Sequence, residues 1–306
     1  MPHFDRYSGG IIAIIAASVI WGTTGTAASL APAVSPLAIG AFAMGGGGLL
    51  LVLSALGELL QSRALLRRYW RSLLIGGLSV AVYPLAFYSA MRLSGVAVGT
   101  VVSIASAPLF TVVLERLISG KRISRRWGVS FVVGALGIAL LALGRSPVGA
   151  GGLSSAQMYL GVALGLLAGL SYALYSWVAR HLIEQGVDSK AAMAGMFGLA
   201  AMLLLPSLAF TGLNLFASLT HTGVAVYMAV VPMFLGYLCF GYGLRYIAAS
   251  TATLITLLEP LVAVVLAVVI VGERLSPAGW LGMPLIIGSL LLMTLRFTGP
   301  SDKQVG

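Results

Sequence analysis

Residues 254–277 read LITLLEPLVAVVLAVVIVGERLSP, an apolar run in which a carboxylate and a proline lie side by side. Glu259 directly precedes Pro260, and it is the only charged residue between positions 254 and 272. An ionised carboxylate at the centre of a bilayer costs at least about 2–3 kcal/mol, and a proline removes one backbone hydrogen bond from a helix. The stretch therefore predicts a membrane-spanning helix with a polar interruption at mid-depth.

The composition of the whole chain extends this prediction. Of its 306 residues, 59% are hydrophobic and 8% are charged, with a mean hydropathy of +1.03, whereas a soluble globular protein carries about 25% charged residues. Apolar runs of about 18 residues or more recur, each long enough to cross a hydrocarbon core about 30 Å thick. We therefore predict an all-α polytopic membrane protein. Its ten spans are expected at about residues 9–30, 36–57, 72–91, 96–118, 127–144, 158–180, 190–211, 222–244, 248–271 and 277–296.

The distribution of basic residues predicts the orientation in the membrane. With ten spans, fifteen of the eighteen Lys and Arg residues fall on the side of the two termini, and only Arg92, Arg145 and Arg274 fall on the other. Such an excess marks the cytoplasmic side, so we expect a multi-pass protein of the bacterial cytoplasmic (inner) membrane with both termini in the cytoplasm. The basic clusters lie in short gaps between spans. Membrane lipid is therefore their expected partner, and nucleic acid is not, despite the net charge of +10.

The chain contains an internal repeat. Between residues 106–124 and residues 258–276, a proline, a glycine, an arginine and a serine recur at a distance of 152 positions. Each half therefore carries five spans, in residues 1–146 and 147–306, and because five is odd the second half crosses the membrane in the opposite sense. Inverted repeats of this kind place substrate sites near the midplane, at helices interrupted in corresponding positions. Pro108 and Pro260 form such a pair, and we expect both to break their helices and to serve in gating.

The second half carries a resemblance to a known family. Residues 240–293, FGYGLRYIAASTATLITLLEPLVAVVLAVVIVGERLSPAGWLGMPLIIGSLLLM, resemble the drug/metabolite transporter superfamily, in particular its EamA-type ten-helix exporters, and the specific signature is LEP followed by GERLS. The first half is similar but has Ala107 and Lys121 where the second has Glu259 and Glu273. The resemblance implies a basket in which spans one to four and six to nine surround a central cavity, with the fifth and tenth outside. The branch that exports aromatic amino acids is the most similar.

Two hypotheses for Glu259 stand side by side. No Lys or Arg lies at comparable depth in a span, so the carboxyl is expected to be protonated much of the time. In the first hypothesis its role is structural, because Pro260 leaves the carbonyl of Thr256 without a donor and a protonated carboxyl can supply one. In the second, Glu259 exchanges protons or contacts the ammonium group of a substrate. Under both, the Glu–Pro pair builds a polar break in a helix that lines a pathway.

Aromatic and hydroxyl residues inside the spans supply further candidates for a binding site. Aromatic rings suit a partly apolar ligand and can contact an ammonium group through cation–π interaction. For each ring the alternative is ordinary packing, and for each hydroxyl it is a bond to a carbonyl of its own helix. The substrate-binding residues predicted in this way are Trp21, Thr24, Tyr83, Tyr88, Ser103, Ser106, Tyr172, Trp177, Tyr237, Thr256 and Glu259.

The same inventory narrows the function. Mid-depth positions offer no second carboxylate and no His, so an intramembrane enzyme lacks a partner for its chemistry, and we expect no catalytic residue, no metal and no cofactor. Phosphorylated substrates would require basic residues at mid-depth in the spans, and the sequence places none there. The sequence predicts a secondary transporter that exports small metabolites by alternating access, with amino acids, including aromatic and large apolar ones, as substrates and proton coupling left open. The alternatives are an exporter of other neutral metabolites or of cationic drugs, and a membrane channel.

Overall fold

The computed structural model describes residues 3–144, 155–272 and 274–294. This part of the chain contains ten helices that are long and apolar enough to cross a membrane. They confirm the predicted all-α polytopic fold. In chain order the spans are Arg6–Ser29, Pro36–Ser54, Trp70–Ser94, Val98–Leu117, Arg125–Leu143, Ser155–Glu184, Ser189–Thr211, Leu219–Gly243, Ala249–Ile270 and Pro277–Thr294.

An additional helix, Leu56–Arg68, connects the second span to the third. It is separated from both by single residues outside the helical region, Ala55 with φ −119° and Tyr69 with φ −100°. Ser62 and Leu66 are buried against the bundle. We call this segment the linking helix. Its exposed surface carries three arginines that the sequence had placed in a gap between spans, namely Arg63, Arg67 and Arg68.

Three of the described spans are interrupted. The first breaks at Thr23, the eighth contains the π-helical segment Ala229–Leu235, and the ninth breaks at Thr256 and Leu257. The helical pieces on either side are His3–Gly22 and Thr24–Ser29, Leu219–Met228 and Gly236–Gly243, and Ala249–Ile255 and Leu258–Leu266, the last followed by a second π-helical segment, Ala267–Val271. π-helical segments are rare and concentrate at functional sites. We therefore expect a functional site near the interrupted parts of these three spans.

The two repeat-related prolines behave differently. The break in the ninth span falls just before Pro260, which then occupies the first turn of the next helical piece, where a missing backbone N–H costs no helix bond. The predicted break at Pro108 is absent, because the helix Val96–Leu117 runs through this residue without interruption. One lost hydrogen bond does not end a helix that packs along much of its length against the sixth span. At this pair of corresponding prolines, only the second of the two helices is broken.

The spans pack in pairs that the predicted repeat relates to one another. The third and fourth spans pack against the sixth, as the eighth and ninth pack against the first, while the fifth packs against the tenth and the second against the seventh. If each span is replaced by the one five places away in the chain, the contacts of the sixth span with the third and fourth become the contacts of the first span with the eighth and ninth. The other two pairs, fifth with tenth and second with seventh, are unchanged by this replacement. Close approach depends on glycine: a Cβ atom on Gly169 would lie 2.0 Å from Oγ of Ser106, and one on Gly48 would lie 2.5 Å from the carbonyl oxygen of Phe197.

Candidate functional site

A cavity lies between the first, second, third, sixth, eighth and ninth spans. Its volume is about 50 Å³, which is smaller than the roughly 300–1,000 Å³ usual for small-molecule sites. Its lining residues are Trp21, Thr24, Gly40, Ala43, Met44, Tyr83, Pro84, Phe87, Tyr88, Tyr172, Tyr175, Met233, Tyr237 and Glu259. Thr24 begins the helical piece that leads into the loop of residues 30–35, and Gly40 lies near the start of the helix that follows it, so the cavity extends towards the side of the membrane opposite to the N-terminus.

The fold brings together most of the side chains that the sequence singled out. Five separate spans contribute them, and the second adds only residues that were not predicted. The fourth and seventh spans, which the family resemblance placed around the cavity, contribute no lining residue in the described part of the chain. The predicted residues that meet in the cavity are Trp21, Thr24, Tyr83, Tyr88, Tyr172, Tyr237 and Glu259.

Aromatic rings form one continuous wall of the cavity. The centroids of Trp21 and Tyr237 are 4.8 Å apart, those of Tyr83 and Tyr172 are 5.7 Å apart, and Tyr172 stacks on Tyr175 at 5.1 Å. These distances are typical of favourable ring–ring contacts. The wall is therefore held by mutual packing across four spans, the first, third, sixth and eighth.

The tyrosine hydroxyls of the cavity fall into two groups. Those of Tyr175 and Tyr237 hydrogen-bond to each other at 2.9 Å, and that of Tyr172 donates to Oγ1 of Thr256 at 2.9 Å. The hydroxyls of Tyr83 and Tyr88 make no hydrogen bond to any described residue. A phenolic hydroxyl can both donate and accept, so the cavity presents two such groups to a ligand.

Glu259 contributes a carboxyl group to the same cavity. Among the described lining residues it is the only acid, and no Lys, Arg or His accompanies it. The carbonyl of Thr256, which was expected to lack a donor, accepts a hydrogen bond from the backbone N–H of Glu259 at 3.0 Å. The side chain of Glu259 is thus not needed to satisfy that carbonyl. Within the described residues its carboxyl oxygens have no hydrogen-bond partner, and they face the cavity.

Two of the predicted hydroxyl residues lie away from the cavity. Ser103 donates to the carbonyl of Gly99 at 2.7 Å, and Ser106 donates to the carbonyl of Ser103 at 3.4 Å. Both face the sixth span, where Gly165 leaves space for Ser103 and Gly169 leaves space for Ser106. They therefore bond to their own helix at a helix–helix contact, as hydroxyls inside membrane helices commonly do.

Trp177 and Thr256 are also displaced from the cavity. The indole N–H of Trp177 donates to Oγ of Ser119 at 3.1 Å, and its ring stacks on His181 at 5.2 Å, at the end of the sixth span. Thr256 is buried behind Tyr172, and its Oγ1 accepts a hydrogen bond from the Tyr172 hydroxyl. Tyr172 therefore lies between Thr256 and the space that a ligand would occupy.

Several lining residues were not predicted. Tyr175 lies three positions after Tyr172, and Phe87 lies four positions after Tyr83, so helical spacing places each pair on one face. This spacing is a signal that sequence reasoning can use. Gly40, Ala43, Met44, Pro84 and Met233 carry no such signal, because apolar residues are common on every face of a membrane span.

The described residues bring together no group of three His, Cys, Asp or Glu side chains of the kind that holds a metal ion.

Comparison with known proteins bears on the identity of this fold and site. A model of the EamA-like transporter family matches the chain twice, at residues 8–143 and 159–295. The uncharacterized transporter YwfM of Bacillus subtilis (strain 168) is 32% identical over 285 residues, which make up 92% of this chain and 92% of that protein. Protein PecM of Dickeya dadantii (strain 3937) is 26% identical over 282 residues, or 90% of this chain and 89% of that protein.

Two further likenesses concern substrate and fold. A probable terminal-alkyne amino-acid exporter of Streptantibioticus cattleyicolor is 26% identical over 198 residues, which are 64% of this chain and 63% of that protein. A solved crystal structure superposes with a TM-score of 0.78 at 19% sequence identity, and covers 94% of this chain and 96% of its own. At that identity the likeness concerns the fold alone.

Proposed function

Because the chain belongs to the EamA-like transporter family, we propose that it exports amino acids, including aromatic and large apolar ones, across the bacterial cytoplasmic membrane by alternating access. The observation that carries this proposal is the carboxyl group of Glu259, which faces an aromatic cavity without a basic residue and without a hydrogen-bond partner among the described residues. An unpaired carboxyl beside aromatic rings is suited to an ammonium group.

The remaining parts of an amino acid also find counterparts in the cavity. The rings of Trp21 and Phe87 and the thioether of Met44 offer apolar surface to a side chain. The hydroxyls of Tyr83 and Tyr88 are available as donors to a carboxylate. The amino-acid exporter of Streptantibioticus cattleyicolor, similar over about two thirds of the chain, supports the same substrate class.

The proposed direction rests on charge. In the described part of the chain, Arg6 and the arginines of the linking helix lie on the side of the N-terminus, whereas Arg92 and Arg274 lie on the other side. The positive-inside rule then places the N-terminus in the cytoplasm. In this orientation the cavity extends towards the outside, as expected for an exporter that has moved its binding site to the side of release.

Counterflow in proteoliposomes tests the proposal. Liposomes that contain purified protein are loaded with unlabelled phenylalanine, leucine or threonine, and the same amino acid, labelled, is supplied outside without a proton gradient. Accumulation above the level of protein-free liposomes is expected, because a carrier exchanges one substrate for another. A channel would only equalise the label. Tyr159→Phe, at an exposed ring remote from the cavity, serves as the control variant.

A second substrate class is favoured by the same cavity. The described lining residues include one acid and no base. An organic cation would therefore find a partner for its positive charge, and it would need no partner for a carboxylate because it carries none. Counterflow of labelled tetraphenylphosphonium, with no counterflow of amino acids, would replace amino-acid export by export of cationic drugs. If exchange of either substrate appears only when a pH gradient is imposed, the transport is coupled to protons.

A further inference from the structure

We propose that Glu115 and Ser250 hold the cavity closed on the side of the N-terminus, and that their contact must break for the transporter to open to that side. The proposal rests on the alternating-access mechanism proposed above. Glu115 belongs to the fourth span in the first repeat, and Ser250 lies in the first turn of the ninth span in the second repeat. Their contact therefore joins the two halves of the molecule at one end.

The contact is buried and hydrogen-bonded. Glu115 is 3% exposed, and its carboxylate accepts hydrogen bonds from the hydroxyl of Ser250 and from the backbone N–H of Ser250, the latter at 3.4 Å. The ammonium group of Lys121 lies 4.0 Å from the same carboxylate. A buried carboxylate that loses its donors is strongly disfavoured, so this contact holds the ends of the fourth and ninth spans together.

More exposed ion pairs continue the contact across the same end. Lys121 lies 3.0 Å from Glu184 of the sixth span, and Arg180 lies 2.8 Å from the same carboxylate. Arg180 also donates to the carbonyl of Leu244 at 2.5 Å, where the eighth span ends. Because exposed ion pairs contribute little, we assign the main closing effect to the buried pair and a supporting one to Lys121, Arg180 and Glu184.

The position of the pair along the ninth span connects it with the cavity. Thr253, one turn after Ser250, is 1% exposed, and Thr256, one turn further, is also 1% exposed. Glu259 then reaches the cavity. The ninth span thus runs from the closing contact to the carboxyl of the proposed binding site through residues that have no access to solvent on this side.

The repeat gives an independent argument. At the distance of 152 residues that relates the two halves, Glu115 corresponds to Ala267, and Ser250 corresponds to Val98. Both counterparts are apolar, so the opposite end of the molecule cannot form the same contact. The pair is therefore not a consequence of the repeated fold, and the two ends of this transporter close by different interactions.

A cysteine reporter at Thr253 tests the proposal. In a Cys239→Ala background, the thiol introduced by Thr253→Cys is buried while the end is closed, and it reacts with a water-soluble maleimide only when the end opens. Glu115→Ala is expected to raise the labelling rate about tenfold, the size of shift that accompanies loss of a charge-assisted hydrogen bond. Ser250→Ala should raise it less, because the backbone N–H of residue 250 remains. Glu115→Gln, whose amide oxygen still accepts from Ser250, should stay close to the parent.

The outcomes separate closure from stability. A second reporter, Ser289→Cys, lies fully buried between the fifth and tenth spans and should stay unlabelled in every variant. If Glu115→Ala also exposes this reporter, its fold has loosened and the result with Ser250→Ala decides. The proposal is overturned if Ser250→Ala leaves the labelling rate of residue 253 unchanged. It is also overturned if Glu115→Ala leaves that rate unchanged while Ser289→Cys stays protected. Labelling needs no substrate, so a negative counterflow result leaves this test intact.

Discussion

The indole N–H of Trp21 donates a hydrogen bond to the carbonyl oxygen of Pro232, 2.8 Å away, and so joins the first span to the π-helical segment of the eighth. Trp21 is 5% exposed and its ring also contacts Tyr237. One side chain thus belongs both to the wall of the cavity and to the irregular backbone behind it. The position of the ring is fixed by a backbone atom and not by packing alone.

This relationship predicts the effect of Trp21→Phe. The variant keeps an aromatic ring but leaves the buried carbonyl of Pro232 without a donor, at a cost of about 1–3 kcal/mol. We expect a lower melting temperature in detergent together with weaker exchange. Trp280→Phe, at an exposed tryptophan, is the matched control and should leave both quantities unchanged. Equal melting temperatures for the two variants would contradict the role of the hydrogen bond.

Glu259→Gln distinguishes the two hypotheses for this residue. Because the carbonyl of Thr256 already accepts from the backbone N–H of Glu259, the amide variant should fold as well as the parent. Loss of a charge-assisted contact to an ammonium group is expected to slow amino-acid counterflow by about tenfold or more. Melting temperature and counterflow are measured on the same preparation. Full exchange by Glu259→Gln would assign a structural role to the side chain.

The two groups of tyrosine hydroxyls give opposite expectations. In Tyr83→Phe and Tyr88→Phe a hydroxyl without a protein partner is removed, so the substrate concentration for half-maximal exchange should rise about two- to tenfold while the melting temperature is retained. In Tyr175→Phe the bond to Tyr237 is lost, so the melting temperature should fall. The same pattern in all three variants would show that the hydroxyls do not differ in role.

Glycine at position 48 is expected to be essential for packing. A Cβ atom there would lie 2.5 Å from the carbonyl oxygen of Phe197, a backbone atom that cannot turn away. Gly48→Ala should therefore separate the second and seventh spans and destabilise the protein by about 1–3 kcal/mol. Gly57→Ala, on the linking helix, meets nothing within 4 Å and should be neutral. Thermal unfolding of both variants in one detergent makes the comparison.

The proposed orientation is tested by labelling in whole cells. In a Cys239→Ala background, Arg63→Cys on the linking helix should be protected from a membrane-impermeant maleimide, and Ala33→Cys, at an exposed position in the loop of residues 30–35, should react. Permeabilised cells should label at both positions, which controls for burial. Labelling of position 63 with protection of position 33 would reverse the proposed topology and remove the charge argument for export.

The spans were predictable because a run of about twenty apolar residues between charged gaps has few alternatives to a membrane helix. The linking helix was missed because its 13 residues include several charges and are too few to span. Glu259 was predictable for a related reason: a carboxyl at mid-depth is costly and is retained only where it has a use.

The faces of the helices were harder to predict. In a membrane protein both lipid-facing and protein-facing surfaces are apolar, so Ser103 and Ser106 could not be assigned to a contact with the sixth span from their own sequence. The same limit applies to Pro108, whose effect depends on the packing of its helix and not on its ring alone. Which aromatic residues meet in the cavity follows from contacts between distant spans.

The interruptions of the backbone all fall in one of two groups of three spans that pack together. The first, eighth and ninth spans, which pack together, are all interrupted, whereas their counterparts, the sixth, third and fourth, are continuous helices of 30, 25 and 22 residues. An unbroken ladder of hydrogen bonds resists bending, and helices bend sharply at breaks and π-helical segments. The group formed by the third, fourth and sixth spans should thus be stiff, and the group formed by the first, eighth and ninth spans should bend more easily. Bending during a transport cycle would then concentrate in the second group, which carries Trp21 and Glu259, while the first group keeps its shape.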